Sequence, residues 1–361
     1  MRAALLTAVD EPLEIAELEV DNPGPDEVLV RTAAAGICHS DMHFQEGKYP
    51  CALPIVLGHE AAGVVEAVGS DVDYVAPGDH VITCVSMSCG QCRNCMRGKP
   101  NLCAHEGLTR SPSAAPRLRQ GTEPVHQFME LSCYAEQMLV NERAVVKVTP
   151  DIPLDKAALI GCGVVTGVGA VQNTAGVRPG ETVAVVGCGG IGLNAVQGAR
   201  LAGAERIIAV DRIDAKLEMA RTFGATDTVN AASGDAVAEV LELTSGGVDH
   251  AFEAVGLKTT TEQCFAMLAS GGTATVIGMI PIGTKVEVMG VELLAEKKLQ
   301  GSAMGSTRFR IDMPTYVNLY LQGRLNLDDL VSRTLSLDQI NEGFDALRVG
   351  EIARSVIQMD S

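Results

Sequence analysis

Positive charge is scarce in this 361-residue chain: 28 Lys and Arg stand against 45 Asp and Glu, a formal net charge of −17. So acidic a surface repels nucleic acid and anionic membrane alike, and neither is expected as a partner. Long apolar runs are missing too. No stretch approaches the roughly 18–20 consecutive apolar residues of a membrane span, and the N-terminal run meets Asp10 and Glu11 before a secretory signal develops. Tryptophan is absent and aromatic residues make up only 3%, yet 47% of the chain is apolar, too much and too evenly spread for disorder. There is no internal repeat and no low-complexity block. The expectation is a soluble, cytoplasmic chain of two domains, at about 100–200 residues each.

Cysteine, by contrast, is plentiful at 11, and Cys89, Cys92, Cys95 and Cys103 fall within fifteen residues. In a reducing compartment such clustering points to metal rather than disulfides. A tetrahedral Cys₄ set is the usual form of a structural zinc and leaves no position open for substrate. Gly90, Gly98 and Pro100 allow the tight turns, and the metal would fold a lobe with little core of its own. A second set, Cys38, His59 and Cys162, is dispersed. Taken singly each reads as a buried core residue; together they fill the three-ligand pattern of a catalytic zinc with an open fourth position.

Hydrophobic patterning divides the chain. Short β-type runs (Val28–Arg31, Gly63–Val68, His80–Cys84) broken by turn signals at residues 22–25 and 77–79 predict an irregular, mostly β region over the first 160 or so residues. From about Gly161 apolar strands alternate with amphipathic helices, the texture of a parallel α/β unit. Strands are predicted at Thr182–Val186, Arg206–Val210, Asp249–Glu253, Thr273–Ile277 and Lys298–Gly301, with helices at Gly192–Leu201 and Ala215–Phe223. The end of the chain reads as helices Met313–Gln322 and Leu337–Leu347 and a strand Ser355–Met359.

Gly187, Gly189, Gly190 and Gly192, with Cys188 and Ile191 between them, make a G-x-G-x-x-G turn directly after a strand and opening a helix; Asp211 ends the next strand, nineteen residues on. Strand, turn, helix and acid in that order form a dinucleotide-binding fingerprint. The glycines let a pyrophosphate approach backbone N–H groups at a helix N-terminus. A carboxylate at Asp211 accepts ribose hydroxyls and repels a 2′-phosphate, which favours NAD, although Arg212 beside it tempers the preference. Lys216, one turn further on, reads equally as a ribose contact or a solvated lysine.

With these motifs in place, the sequence resembles the zinc-dependent alcohol dehydrogenases of the medium-chain dehydrogenase/reductase superfamily. Gly58-His59-Glu60-Ala61-Ala62-Gly63, continued by Gly69 and Val72, matches G-H-E-x₂-G-x₅-G-x₂-V without a gap, and the likeness runs from Met1 to Gly350–Ser355. The resemblance implies an α/β architecture: a GroES-like β-barrel catalytic domain over 1–163 with a structural-zinc lobe at 86–105, a Rossmann doubly wound parallel-sheet coenzyme domain over 164–303, and a return to the catalytic domain over 304–361. It implies two Zn²⁺ per chain, the catalytic one on Cys38, His59 and Cys162 with Glu60 as an occasional ligand, and NAD as cofactor. Asp41 matches the carboxylate that orients the zinc-bound histidine, Ser40 the hydroxyl that bonds the substrate oxygen, and His43 the outer end of a proton relay. His39 and Arg354 match pyrophosphate contacts, Thr166 and Ile191 hold the nicotinamide, and Val255, Ile277, Gly278 and Met279 complete the cofactor set. A homodimer is implied by the retained Arg110–His126 loop, with a tetramer as the alternative.

The reaction implied is reversible oxidation of a primary or secondary alcohol by hydride transfer from a zinc alkoxide to NAD. By correspondence Tyr49, Val85, Phe128, Met129 and Met279 line the substrate pocket. Val85 stands where many relatives carry a bulky aromatic, so aromatic, branched or terpenoid alcohols are expected, unless Tyr49 fills the space. A rival within the class is a thiol-dependent formaldehyde dehydrogenase acting on an S-hydroxymethyl adduct. Pro124–Met129 resembles that branch and Arg117 or Arg119 offers a partner for a carboxylate, whereas Gln45–Tyr49 lacks the acidic pair of the glutathione-using enzymes. A rival of another class, an inactive nucleotide-binding or structural member, is disfavoured because Cys38, Ser40, His43, His59 and Cys162 are all present.

Overall fold

The computed structural model describes every residue except His105, Glu106, Pro112, Glu351, Ile352, Asp360 and Ser361. The last residue of the expected zinc lobe, Pro112 of the Arg110–His126 loop and two residues of the closing motif thus lie outside the described residues. The chain divides into one unit of Met1–Cys162 with Arg308–Ser361 and a second of Gly163–Thr307.

In the first unit the strand Glu27–Gly36 is β-branched and apolar at its start, small at its end, and buried over most of its length. That composition suits a central strand flanked on both edges. It pairs antiparallel with Glu60–Val68, Gln137–Asn141 and Arg354–Gln358, in a seven-stranded sheet completed by His80–Thr83, Val145–Lys147 and Val331–Leu335. The C-terminal segment therefore pairs directly with a strand near the N-terminus. A second sheet has six short strands, in the order Glu14–Glu17, Arg2–Leu6, Ile55–Val56, Glu123–Gln127, Leu118–Gln120, Glu19–Val20. Leu5, Leu6, Val30, Ile37, Leu57, Val81, Tyr134 and Phe344 belong to one core. Aliphatic side chains dominate it, as the low aromatic content requires.

The second unit is a six-stranded sheet, β1 (Thr182–Val186), β2 (Arg206–Asp211), β3 (Asp227–Asn230), β4 (Val248–Glu253), β5 (Leu268–Val276) and β6 (Lys298–Gly301), every pairing parallel, in the order 3-2-1-4-5-6. This is the doubly wound Rossmann order, whose ligand crevice opens where the order reverses, outside the ends of β1 and β4. Helix α1 (Gly190–Ala202) follows β1, α2 (Asp214–Phe223) follows β2, α3 (Ala236–Leu243) precedes β4 and α4 (Lys258–Ala266) precedes β5. Patterning alone did not mark β3, α3 or α4. The α3 terminus carries its own device: Asp235 accepts from the N–H groups of Val237 and Ala238.

One continuous helical stretch, Leu154–Ala175, is long and apolar enough by length and composition to cross a membrane, but 83% of its most apolar window is buried within the protein. It is a core helix by that burial, and it widens to a π-helical turn at Ile160–Val164.

Candidate active site and metal centres

The antiparallel register sets Gly36 opposite Glu60, so Cys38, two residues past one strand end, lies beside His59, one residue before the other strand begins. Cys162 arrives from the π-helical turn. Gly161 allows this, since a Cβ there would stand 2.8 Å from the Thr83 carbonyl oxygen. All three side chains are buried, and their ligand atoms lie within 4.8 Å of one another.

Asp41, fully buried, organises the cluster. Its Oδ2 accepts from the Cys38 N–H at 3.1 Å and the Tyr134 hydroxyl at 2.7 Å; its Oδ1 accepts from the Gly58 N–H at 3.1 Å and lies 3.0 Å from His59 Nδ1. With Nδ1 engaged, His59 Nε2 faces Cys162 Sγ at 3.2 Å. Tethering one ring nitrogen this way fixes the tautomer and leaves the other to ligate. Hydrogen bonding from Cys162 and the charge of Arg354 hold the Cys38 thiol well below its ordinary range despite burial, and the same hydrogen bond together with burial pushes Cys162 up. Two soft sulfurs and an oriented imidazole fit zinc.

Ser40 is half-buried, with its Oγ 3.7 Å from Cys38 Sγ. His43 follows on the helix His39–Gln45; its buried Nδ1 has no hydrogen-bond partner among the described residues, and burial, aided by Lys48, lowers its pKa from the ordinary histidine value. His39 is exposed. Glu60 and Arg354 are both buried and face one another, Arg354 Nε at 3.4 Å from Glu60 Oε1, with Arg354 also 3.7 Å from Cys38 Sγ. In this unit Arg354 thus sits against the metal cluster.

Phe128 packs edge-on against Phe44 (4.7 Å) and His59 (5.8 Å), and Phe44 meets Tyr49 at 5.6 Å. Three of the expected pocket residues are thereby placed: Phe128 beside a metal ligand, Tyr49 one ring away, and Met129 on the next position of the same turn. Val85 is half-buried against the core, and Met279 belongs to the other unit. The Phe128 turn is strained: Met129, Glu130 and Ser132 all have positive φ, which costs roughly 1–2 kcal/mol per non-glycine residue.

Cys89, Cys92, Cys95 and Cys103 converge in a separate lobe. Their sulfurs stand 3.5 Å (Cys92 to Cys95), 3.8 Å (Cys92 to Cys103) and 3.5 Å (Cys89 to Cys103) apart. A tetrahedron of thiolates at about 2.3 Å from zinc has edges of about 3.8 Å. The fit is close. Backbone N–H groups of Cys95 and Ala104 donate to Cys92 and lower it to about 6.

In the second unit the three motif glycines of the β1–α1 turn, Gly187, Gly189 and Gly192, have different reasons. Gly187 has φ +94 and meets Val255; Gly192 lies so near the Gly187 carbonyl that a Cβ would stand 1.7 Å away; Gly189 faces open space. Tight turn, close packing and an open face for a ligand are the three requirements of a dinucleotide turn. Asp211 ends β2 with its Oδ2 accepting from the Cys188 N–H at 2.7 Å. Arg212 is exposed and Lys216 half-buried on α2. Thr166 and Ile191 share a corner, because Gly167 packs against the Ile191 carbonyl.

Residues that patterning missed complete both regions. Tyr134, buried, holds Asp41; it carries no motif that would mark it. Glu253, also buried, accepts from the N–H groups of Val255 and Gly256 and from the Thr260 hydroxyl, so it fixes the β4 turn that bears Val255. An acid closing an apolar strand was the available signal. Arg117, expected as a partner for a substrate carboxylate, is buried and already bound to Glu27 through Nε and to Gln127 and Glu130 through Nη1.

A parallel Rossmann sheet, a β-rich partner unit and two cysteine-based metal sets define a zinc-binding dehydrogenase. The family models agree: the alcohol dehydrogenase GroES-like domain matches residues 24–151 and the zinc-binding dehydrogenase model residues 190–322. The chain is 40% identical over 372 residues to an alcohol dehydrogenase class-3 of Cereibacter sphaeroides, covering 99% of both, and 39% identical over 364 residues to an S-(hydroxymethyl)glutathione dehydrogenase of Haemophilus influenzae, covering 99% of this chain and 96% of the other. Among solved structures, a benzyl alcohol dehydrogenase from Acinetobacter calcoaceticus superposes with a TM-score of 0.94 at 34% identity, covering 99% of each chain. The chain belongs to the zinc-dependent alcohol dehydrogenases of the medium-chain dehydrogenase/reductase superfamily, and is an enzyme acting on a small molecule.

Proposed function

We propose that this enzyme uses NAD to oxidise the S-hydroxymethyl adduct of a low-molecular-weight thiol to the S-formyl thioester. The end-to-end identity of 39–40% to proteins named for that substrate or for its class carries this reading. It reverses the order of preference drawn from the sequence, which put plain alcohols first. The second reading, an aromatic, branched or terpenoid alcohol oxidised to its aldehyde or ketone, keeps specific support: the half-buried Val85 in place of a bulky aromatic, the commitment of Arg117 to Glu27, and the benzyl alcohol dehydrogenase likeness.

Held by Cys38, His59 and Cys162, zinc would supply the Lewis acidity that makes a substrate hydroxyl acidic, and NAD the hydride acceptor. Ser40 Oγ then takes the hydroxyl proton and passes it toward His43, whose lowered pKa keeps the imidazole neutral and able to accept near pH 7. Asp41 holds His59 in one tautomer. On the cofactor side, the open face at Gly189 receives the pyrophosphate and Asp211 the adenosine ribose. NAD over NADP follows from that carboxylate, so Asp211→Gly raises the KM for NAD far more than for NADP; an unchanged preference would remove Asp211 from the ribose. Eleven free cysteines suit a reducing cytoplasm, and we read the enzyme as a homodimer, checked by light-scattering mass.

The deciding assay follows NADH with formaldehyde alone, formaldehyde plus glutathione, benzyl alcohol and a terpenoid alcohol. Turnover of formaldehyde that depends on added thiol is the expected result. Benzyl or terpenoid alcohol oxidised without any thiol-dependent rate would install the second reading instead.

A further inference from the structure

The Phe128 turn is held in its left-handed conformation from one side by Ser132, whose Oγ accepts from the Phe128 N–H at 2.7 Å and donates to the Val56 carbonyl at 2.7 Å. On the other side stands Arg117. Its Nη1 donates to Gln127 Oε1 at 2.8 Å, immediately before the turn, and to Glu130 Oε2 at 2.5 Å within it. Its Nε donates to Glu27 Oε1 at 2.7 Å. Glu27, nearly fully buried at the start of the central strand, is gripped as well by Arg110, through Nε at 2.8 Å and Nη2 at 2.6 Å. Arg110 in turn reaches Asp21 at 2.7 Å.

This chain of charges has one mechanical sense. The strand that delivers Cys38 begins at Glu27, and the turn that places Phe128 against His59 contains Glu130; the Arg117 guanidinium joins the two. A planar fork that makes three bonds in fixed directions transmits position better than a point charge on a flexible stem. A buried ion pair is by itself weak evidence for stability. Met129, Glu130 and Ser132, all at positive φ, would relax without an external hold, and relaxation there would move the Phe128 ring.

We propose that Arg117, anchored on Glu27, is a positioning residue that sets substrate selectivity by holding the Met129–Ser132 turn, and with it Phe128, at the metal centre. The inference rests on the reading that Phe128 and Met129 line the substrate pocket; it is independent of whether a thiol adduct or a plain alcohol is preferred.

The test compares Arg117→Met, Glu130→Ala and Glu130→Gln with the parent enzyme. Glu130→Ala removes the hold on the turn while Arg117 keeps Glu27 and Gln127, so it stays informative where Arg117→Met fails to fold. Three quantities are read: the ratio of kcat/KM for benzyl alcohol to that for ethanol, the KM for NAD, and hydrogen exchange at the Leu131 and Ser132 amides, which bond the Phe128 carbonyl. Arg117→Met and Glu130→Ala are expected to change the ratio by about tenfold or more, as small displacements in a site do, and to speed exchange at the two amides, with the KM for NAD unmoved and full zinc content. Glu130→Gln, which can still accept from Arg117, should restore the parent ratio. An unchanged ratio overturns the proposal whatever the exchange shows, and so does a changed ratio with unchanged exchange. Absence of any thiol-dependent formaldehyde oxidation would strike the function proposed above and leave this comparison of two plain alcohols intact.

Discussion

The two cysteine clusters solve the same coordination problem in opposite ways. In the lobe, four thiols come from fifteen consecutive residues, all half-buried, with local N–H groups turned on the sulfurs: those of Cys95 and Ala104 lower Cys92, the Cys89 N–H donates to Cys103 and the Cys92 N–H to Cys89, while burial pushes Cys95 up to about 12. At the dispersed site, ligands 124 residues apart meet only through a strand register and a helix end, all fully sequestered, and their polarity is managed by side chains outside the ligand set, the neighbouring Asp41 and the distant Tyr134 and Arg354. A site built from adjacent residues folds its own surroundings; a site built from distant ones is folded by them. Loaded with zinc, the first would stabilise its lobe and the second could leave a coordination position open for chemistry.

Breaking the contrast most severely, His59→Ala should lower kcat/KM by about a thousandfold or more and halve the zinc content while the thermal transition stays near the parent's; loss of both metals together would mean the clusters are not independent. Cys95→Ser is the mirror experiment, with the lobe at residues 89–103 becoming sensitive to limited proteolysis and the melting temperature falling; an uncut lobe of parental stability would deny it a structural metal. Asp41→Asn keeps all three ligands, so the expected loss is only about 10–100-fold in metal affinity, read by competition with a chelator. The mildest change is His43→Gln. Because the lowered pKa of His43 leaves it neutral near pH 7, the parent rate should fall only as pH drops through that value and protonates the base; the variant should be about tenfold slower with a flattened acidic limb. An acidic limb identical to the parent's would show that His43 does not accept the proton.

The same contrast governs what could be read before the fold was known. The Cys89–Cys103 spacing and the Gly187–Gly192 turn are local patterns, visible because neighbouring residues do the work. Strand and helix positions in the parallel sheet were similarly apparent where apolar runs were long, as at Thr182–Val186, and lost where a strand was short and polar, as at Asp227–Asn230. The two-residue strand Ile55–Val56 has no periodicity to detect. Cys38, His59 and Cys162 were grouped by their donor chemistry and given their role by resemblance, since nothing in their spacing encodes the Gly36–Glu60 register. Tyr134, Glu253 and the partners of Arg117 remained hidden for the same reason: Tyr134 reaches Asp41 across 93 residues and Arg117 reaches Glu27 across 90, Glu253 acts through a backbone turn, and burial of a lone polar side chain leaves no signature in composition.

That register has a temporal side. The lobe's four thiols become available together, as soon as residue 103 has been synthesised, and can close a short loop around metal at small entropic cost. The dispersed set must wait for Cys162 and for two strands paired without a slip, since a shift of one residue would turn the strand faces over. Were zinc to bind Cys38, His59 and Cys162, its capture would report on folding, because only sheets paired in the correct register bring the three donors together.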